Sequence, residues 1–201
     1  MGTVTVRRAG AGDAAAVTAA YAAATADEAV NAWVMGSGEV PPELLEAHFS
    51  AYVAAAIERD EVWLAGGGGE VWTVSVWVRV DSAERIEADA EELAAAAEEH
   101  GLAVLERAAL VARTVAAAHP RDFPHLHLHS IATVPWLRGE GAGGALLAER
   151  LRLADEEGLP VYLEASTARS ARLYERAGFA AAGAPIALPG GGPELVPMWR
   201  R

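Results

Sequence analysis

At 201 residues the chain is long enough for one domain with a sizeable core, or one domain with an elaborated insert. Lys+Arg 16 against Asp+Glu 28 gives a net charge of -12, which argues against nucleic acid or an anionic membrane surface as a partner, so an anionic ligand has to be held locally. Cysteine is absent, which excludes a disulfide framework and a thiolate nucleophile. No uncharged run approaches the roughly 18 residues that span a bilayer, so a cytoplasmic protein is the expectation.

In chain order, Thr3 to Arg8 alternates like a first strand, and Gly10 to Asp13 is a turn with Asp13 as N-cap of a helix over AAAVTAAYAAATADEA. Pro42 to Arg59 predicts a second helix, with Leu44, Leu45, Phe49, Tyr52, Val53 and Ile57 at helical spacing. Between them NAWVMGSGEVP reads as a glycine-containing loop. Its Trp33 and Met35 form either an apolar lip for a small ligand or part of the core. Glu61 to Ala65 and Val71 to Val80 read as a hairpin joined through Gly66-Gly67-Gly68-Gly69. Ser82 to Ala118 reads as two helices split by Gly101, and its acidic run from Glu84 to Glu99 is a solvated face.

The central stretch, HLHLHSIATVPWLRGEGAGG, runs from His125 to Gly144. Alternation puts His125, His127, His129, Ile131 and Thr133 on one strand face and Leu126, Leu128, Ser130, Ala132 and Val134 on the other. Pro135 ends the strand, and a glycine-rich loop leads into the helix ALLAERLRLADEEG. Strand, loop and helix N-terminus together make an anion site from backbone N–H groups and the helix dipole. A short strand, Val161 to Glu164, a helix, Ala168 to Ala177, capped by Gly178, and a final hairpin around Gly190-Gly191-Gly192 complete the chain. With no repeat or long linker, the reading is a single α/β (α+β) domain over residues 1–201 with a mixed sheet.

Three chemistries can use the central stretch. Gly139-x-Gly141-x-x-Gly144, with Glu164 downstream, satisfies a dinucleotide-binding pattern. Against it, Pro135 to Arg138 separate the strand from the first glycine, and too little chain follows for a doubly wound sheet. Alternating histidines about 6.8 Å apart can share a zinc ion. The remaining ligands would come from His48, His100, His119 or a carboxylate, and no spacing favours any of them.

The third chemistry explains the most residues. Ile131-Ala132-Thr133-Val134-Pro135-Trp136-Leu137-Arg138-Gly139-Glu140-Gly141-Ala142-Gly143, followed by a helix, resembles the GCN5-related N-acetyltransferase (GNAT) signature of an apolar strand, a proline and R/Q-x-x-G-x-G/A. Val161-Tyr162-Leu163-Glu164 and then Leu173-Tyr174-Glu175-Arg176-Ala177-Gly178-Phe179 resemble the family's second element in the correct order. The resemblance implies a central mixed, mostly antiparallel twisted sheet flanked by helices, with a helical insert before the central strand. It also implies acetyl-CoA as cosubstrate, no metal, and direct attack of a bound small-molecule amine on the thioester, in a monomer or homodimer.

The resemblance also distributes roles. Ile131, Ala132 and Thr133 would hold the thioester carbonyl and pantetheine arm, and Arg138, Gly139, Glu140, Gly141, Ala142 and Gly143 the phosphates. Ser170 stands where the family often has Asn, which weakens a side-chain contact there, and Glu140 puts a carboxylate where Lys or Arg is common. HLHSIAT resembles a family strand whose two histidines are associated with proton removal. An alkyl ammonium titrates near 10.4, so a base must act before attack, and an imidazole near 6.5 suits the task. His127 and His129 are the expected bases, with Glu164 as rival, and Trp33 and Met35 are expected to line the substrate site. Tyr174 matches the family's acid for the departing thiolate. With a phenol near 10 and a thiol near 8.5, full transfer is uphill by about 2 kcal/mol, so its minimum role is hydrogen-bond donor. A non-catalytic acetyl-CoA sensor would carry the same loop, but the histidine pair together with Tyr174 argues for turnover.

Overall fold

The computed structural model describes residues 3–201. Its strands are β1 (Thr5–Arg8), β2 (Glu61–Gly67), β3 (Glu70–Val80), β4 (His125–Thr133), β5 (Val161–Ala165), β6 (Ala180–Ala181), β7 (Ile186–Ala187) and β8 (Glu194–Arg200). Among the described residues there are seven α-helices: α1 (Ala14–Thr25), α2 (Ala29–Met35), α3 (Pro42–Arg59), α4 (Ala83–His100), α5 (Ala103–Ala118), α6 (Ala142–Glu157) and α7 (Ala168–Arg176). The fold is the expected mixed α/β class with mostly antiparallel pairing. The chain divides into two compact units. The first holds residues up to Glu28, Pro41–Arg79 and Leu126–Val161, and the second holds Ala29–Val40, Val80–His125 and Tyr162–Arg201.

In the first unit the strands lie in the order β1-β2-β3-β4. Alternation along β2 and β3 sends Val62, Leu64, Val74 and Val76 to one face, where they bury against Val17, Ala20 and Ala24 of α1 and Val53 and Ala56 of α3. On the opposite face Ala142 and Leu146 of α6 pack with Ala65, Trp63, Trp72 and Ile131. The hairpin turn is narrower than the four-glycine tip suggests. Gly66 and Gly67 belong to β2, and only Gly68 and Gly69 make the turn, with φ of 62° and 87°. The register jumps from Ala65↔Thr73 to Gly66↔Val71, so Trp72 is the extra residue of a bulge. A Cβ on Gly66 would lie 1.9 Å from the Glu70 carbonyl oxygen, which explains the glycine. Replacing Gly66 with Ala therefore costs about 3 kcal/mol, the upper end for overpacking because backbone must move, and a urea titration measures it.

Two local expectations are corrected. Asp13 does not cap α1 with its side chain: its carboxylate accepts from the Gly10 N–H (2.9 Å) and from both arms of the Arg7 guanidinium (2.6 and 2.7 Å), closing a 3₁₀ turn over Ala11–Asp13. The segment after α1 is not all loop, because Ala29–Met35 forms α2.

In the second unit α4 and α5 form a hairpin broken at Gly101, which takes φ 61°. They meet through small side chains, Ala94, Ala97 and Ala109, flanked by Leu93 and Leu105. The acidic residues of α4 face solvent, as expected of a solvated helix face. The strands of this unit lie in the order β5-β8-β6, and β7 pairs antiparallel with β8. Ile186, Leu188 and Leu195 bury against Val30 of α2 and Val111 and Val115 of α5. No helix among the described residues is long and apolar enough to cross a membrane.

Candidate active site

The first unit carries the glycine loop. At the end of β4 the Val134 N–H donates to the carbonyl of the bulge residue Trp72 (2.8 Å), and Pro135–Leu137 makes a single 3₁₀ turn. The chain then reverses through Gly139 (φ 91°) and Gly141 (φ 85°) into α6. Both angles lie in the left-handed region, which costs a residue with a Cβ about 1–2 kcal/mol. A Cβ on Gly139, Gly141 or Gly144 would meet nothing within 4 Å, so the space over this helix N-terminus is open. Gly143 does the opposite job. Its Cβ would sit 3.2 Å from Thr133 Oγ1, which is bonded to Thr73 Oγ1 at 2.8 Å, so glycine lets the first turn of α6 lie on the sheet. The first N–H groups of an α-helix have no carbonyl four residues back, and the helix dipole adds positive potential there. The arrangement therefore fits a phosphate or pyrophosphate without a cationic side chain.

The Arg138 side chain of the same loop is engaged by the protein itself. The Arg138 guanidinium forks onto Asp27, NH1 to Oδ2 and NH2 to Oδ1, both at 2.6 Å. Its Nε donates to the Thr133 carbonyl (3.0 Å) and NH2 also donates to the Ala24 carbonyl (3.3 Å). Hydrogen bonding to Arg138 holds the Asp27 carboxyl below its usual range. Glu140 is exposed, as its charge requires.

The expected division of β4 faces holds for its last residues, with Ile131 packed with α6, and Ala132 and Val134 with α1 and α3; His129, expected on the Ile131 face, instead has its ring beside Tyr52 of α3. His127 is buried and His129 exposed, with their rings perpendicular at 5.7 Å. The His129 ring lies 6.3 Å from that of Tyr52, which in turn lies 5.4 Å from Tyr21, and the Tyr21 hydroxyl donates to Ser130 Oγ (3.3 Å). Burial pushes both phenols above their ordinary value, so they remain protonated donors. The helical spacing of Tyr52 placed it in the core without revealing that its hydroxyl-bearing ring approaches His129.

The second unit carries Glu164, Tyr174 and Ser170. Glu164 stands on β5 with its side chain nearly buried, 3.8 Å from Nδ1 of His119. His119 Nε2 lies 2.9 Å from His125 Nε2, and His125 Nδ1 lies 2.9 Å from the Asp122 carbonyl. A carbonyl only accepts, so His125 carries its proton on Nδ1 and its Nε2 receives the His119 proton. His119 then turns a lone pair toward Glu164, and the two attract only with a proton between them. Burial, with the Glu164 charge, drives the neighbouring Tyr162 phenol up. His119 has no spacing relation to Glu164 that the sequence displays, and only the fold reveals the pair.

Tyr174 owes its position to the Tyr-x-x-x-Gly-Phe pattern. The Phe179 N–H donates to the Tyr174 carbonyl (3.0 Å) and the Gly178 N–H to Glu175 (3.1 Å), a Schellman ending made possible by φ 90° at Gly178. The Tyr174 ring is buried against Phe179, with centroids 5.8 Å apart. The Ser170 side chain is taken up in the cap of α7: its Oγ accepts from the Thr167 N–H (3.1 Å) while Thr167 Oγ1 accepts from the Ser170 N–H (3.0 Å). Trp33 lies on α2 and not on a loop lip. The Arg107 guanidinium stacks 4.4 Å above its ring and donates to its carbonyl (2.7 Å), and the ring packs beside Gly192. Met35 is the last residue of the same helix.

Residues 69–179 match the Acetyltransferase (GNAT) family. Solved structures with similar folds include a histone acetyltransferase HPA2 and related acetyltransferase from Corynebacterium glutamicum, with 24% identity and a TM-score of 0.68, covering 100% of this chain and 96% of that one. A polyamine N-acetyltransferase from Drosophila melanogaster has 21% identity and a TM-score of 0.69, with 98% of each chain covered. Arylalkylamine N-acetyltransferase 2 from Aedes aegypti has 16% identity and a TM-score of 0.72, again with 98% of each covered.

Proposed function

Because the chain belongs to the Acetyltransferase (GNAT) family and is therefore an acyltransferase, we propose that it transfers the acetyl group of acetyl-CoA, the family's cosubstrate, to the primary amine of a small molecule. The observation that carries this reading is the open N-terminus of α6, reached through Gly139 and Gly141 at positive φ, which offers backbone donors to a pyrophosphate. The near-complete mutual coverage with the similar structures supports one catalytic domain spanning residues 1–201. We assign it to the cytoplasm as a monomer or homodimer.

The reaction is direct attack. An ammonium first gives a proton to a base, for which His127, His129 and Glu164 are the candidates. The amine lone pair then forms the C–N bond, the C–S bond breaks, and the thiolate receives a proton for which Tyr174 is the donor. Backbone groups of Ile131, Ala132 and Thr133 position the acyl arm, and the loop from Arg138 to Gly143 positions the phosphates. A net charge of -12 suits a cationic acceptor. The pieces EVWLA, VSVWV, LEAS and YERAGF are similar to puromycin N-acetyltransferase, which supports an antibiotic or other specialised metabolite as the amine.

Calorimetric titration of the purified, metal-free protein with acetyl-CoA, coenzyme A and NAD tests the reading, with Gly141→Trp as the blocked-loop control. Micromolar acetyl-CoA binding that the control loses, with NAD silent, supports it and justifies an amine screen by thiol release. Heat from NAD with none from acetyl-CoA overturns it.

A further inference from the structure

The residue nearest in sequence to the loop that carries a cation spends it elsewhere. Arg138 connects three points of the first unit: the last residue of β4 through the Thr133 carbonyl, the C-terminal turn of α1 through the Ala24 carbonyl, and Asp27 just beyond that helix. The Asp27 fork is bidentate, which fixes the guanidinium plane as well as its distance. Thr133 is the residue on which Gly143 rests, so the same strand end supports the loop from both sides.

We propose that Asp27 is a positioning residue for the phosphate-binding loop: by locking the Arg138 guanidinium across Thr133 and Ala24, it holds Gly139–Gly144 in the conformation that presents backbone N–H groups. This rests on the acetyl-CoA reading above. Asp27 touches no phosphate. It pre-orders the loop, and a ligand that must otherwise order it binds more weakly. Arg138 correspondingly acts through its geometry and not as a charge offered to the ligand. Asp27 is exposed, so its removal leaves the core intact.

The test uses Asp27→Asn, Asp27→Glu and Arg138→Lys. In the unliganded protein, amide hydrogen exchange at Gly139–Gly144 accelerates about five-fold in Asp27→Asn, the scale of a well-formed exposed pair. Acetyl-CoA and its 3′-dephospho analogue both weaken by that factor, because the shared pyrophosphate is what the loop holds. Asp27→Glu restores most of the affinity. Arg138→Lys, which keeps the charge but loses the fork and the Nε donor, behaves like Asp27→Asn. Wild-type binding with unchanged affinity and exchange in Asp27→Asn and Arg138→Lys overturns the proposal while leaving the acetyl-CoA reading standing. A weakening confined to the 3′-phosphorylated ligand also overturns it, since that is the mark of a direct phosphate contact. Wild-type protein that binds no acetyl-CoA overturns the reading and this proposal with it.

Discussion

Tyr174→Phe leaves acetyl-CoA affinity unchanged and lowers kcat for amine acetylation about 100-fold. The magnitude is the low end for general acid catalysis, because full proton transfer from a phenol to a thiolate is uphill and the hydroxyl is worth most as a donor to developing charge. The substitution isolates the hydroxyl. The hydrogen bonds that end α7 use the Tyr174 backbone carbonyl, and phenylalanine keeps the ring against Phe179. An acetyl thioester of a more acidic thiol is an internal control, since its leaving group needs less help and the deficit shrinks. An equal deficit with both donors removes the acid role from Tyr174. A rise in acetyl-CoA KM with kcat intact assigns the hydroxyl to binding instead.

Arg150→Met costs about 3 kcal/mol of folding stability, near the lower figure for breaking a buried ion pair from one side. Arg150 projects from α6 with only 1% of its side chain accessible. Its Nε donates to Glu61 (2.7 Å), its NH2 to Glu61 and Glu157 (both 3.1 Å), and its guanidinium lies over Trp77. Trp63 Nε1 donates to the same Glu61 carboxylate at 2.9 Å. Methionine fills similar space but leaves the part-buried Glu61 carboxylate with the Trp63 N–H and without its guanidinium partner. Adding Glu61→Gln to Arg150→Met recovers part of the loss, because the uncompensated charge is the larger penalty. Urea unfolding of both variants measures the two steps, and a loss below 1 kcal/mol for the single variant contradicts the account.

What could be read from residue order was local and periodic. Pro42 to Arg59 has a proline start and apolar spacing, and α3 has those bounds. Gly101, Gly158 and Gly178 mark helix ends, and each takes the left-handed φ that only glycine adopts cheaply. The strand-loop-helix from His125 and the YERAGF turn were visible because their geometry is written within about twenty residues. Other features needed the fold. Ala29–Met35 is one short helix held by Trp33 against Arg107, a partner 74 positions away, so no local pattern announces it. Arg150 looks like any arginine in a charged helix until Glu61, 89 residues earlier, arrives beside it. The bulge at Trp72 comes from pairing with β2, which periodicity within β3 alone does not contain. The neighbours of two further residues were equally out of reach: the Tyr52 ring comes to 6.3 Å from that of His129, and His119 Nδ1 to 3.8 Å from Glu164, both from far along the chain.

Neutralising Arg138 with Asp27 has a kinetic consequence. The loop shows an arriving polyanion backbone dipoles, which act over a few ångströms, and an exposed Glu140, while the whole protein carries a charge of -12. Long-range forces then oppose encounter, and binding becomes attractive only at close range. Salt shortens the reach of that repulsion to about 8 Å at physiological ionic strength. Association of a phosphate-bearing ligand therefore speeds up as ionic strength rises, the reverse of what a lysine-lined phosphate site gives.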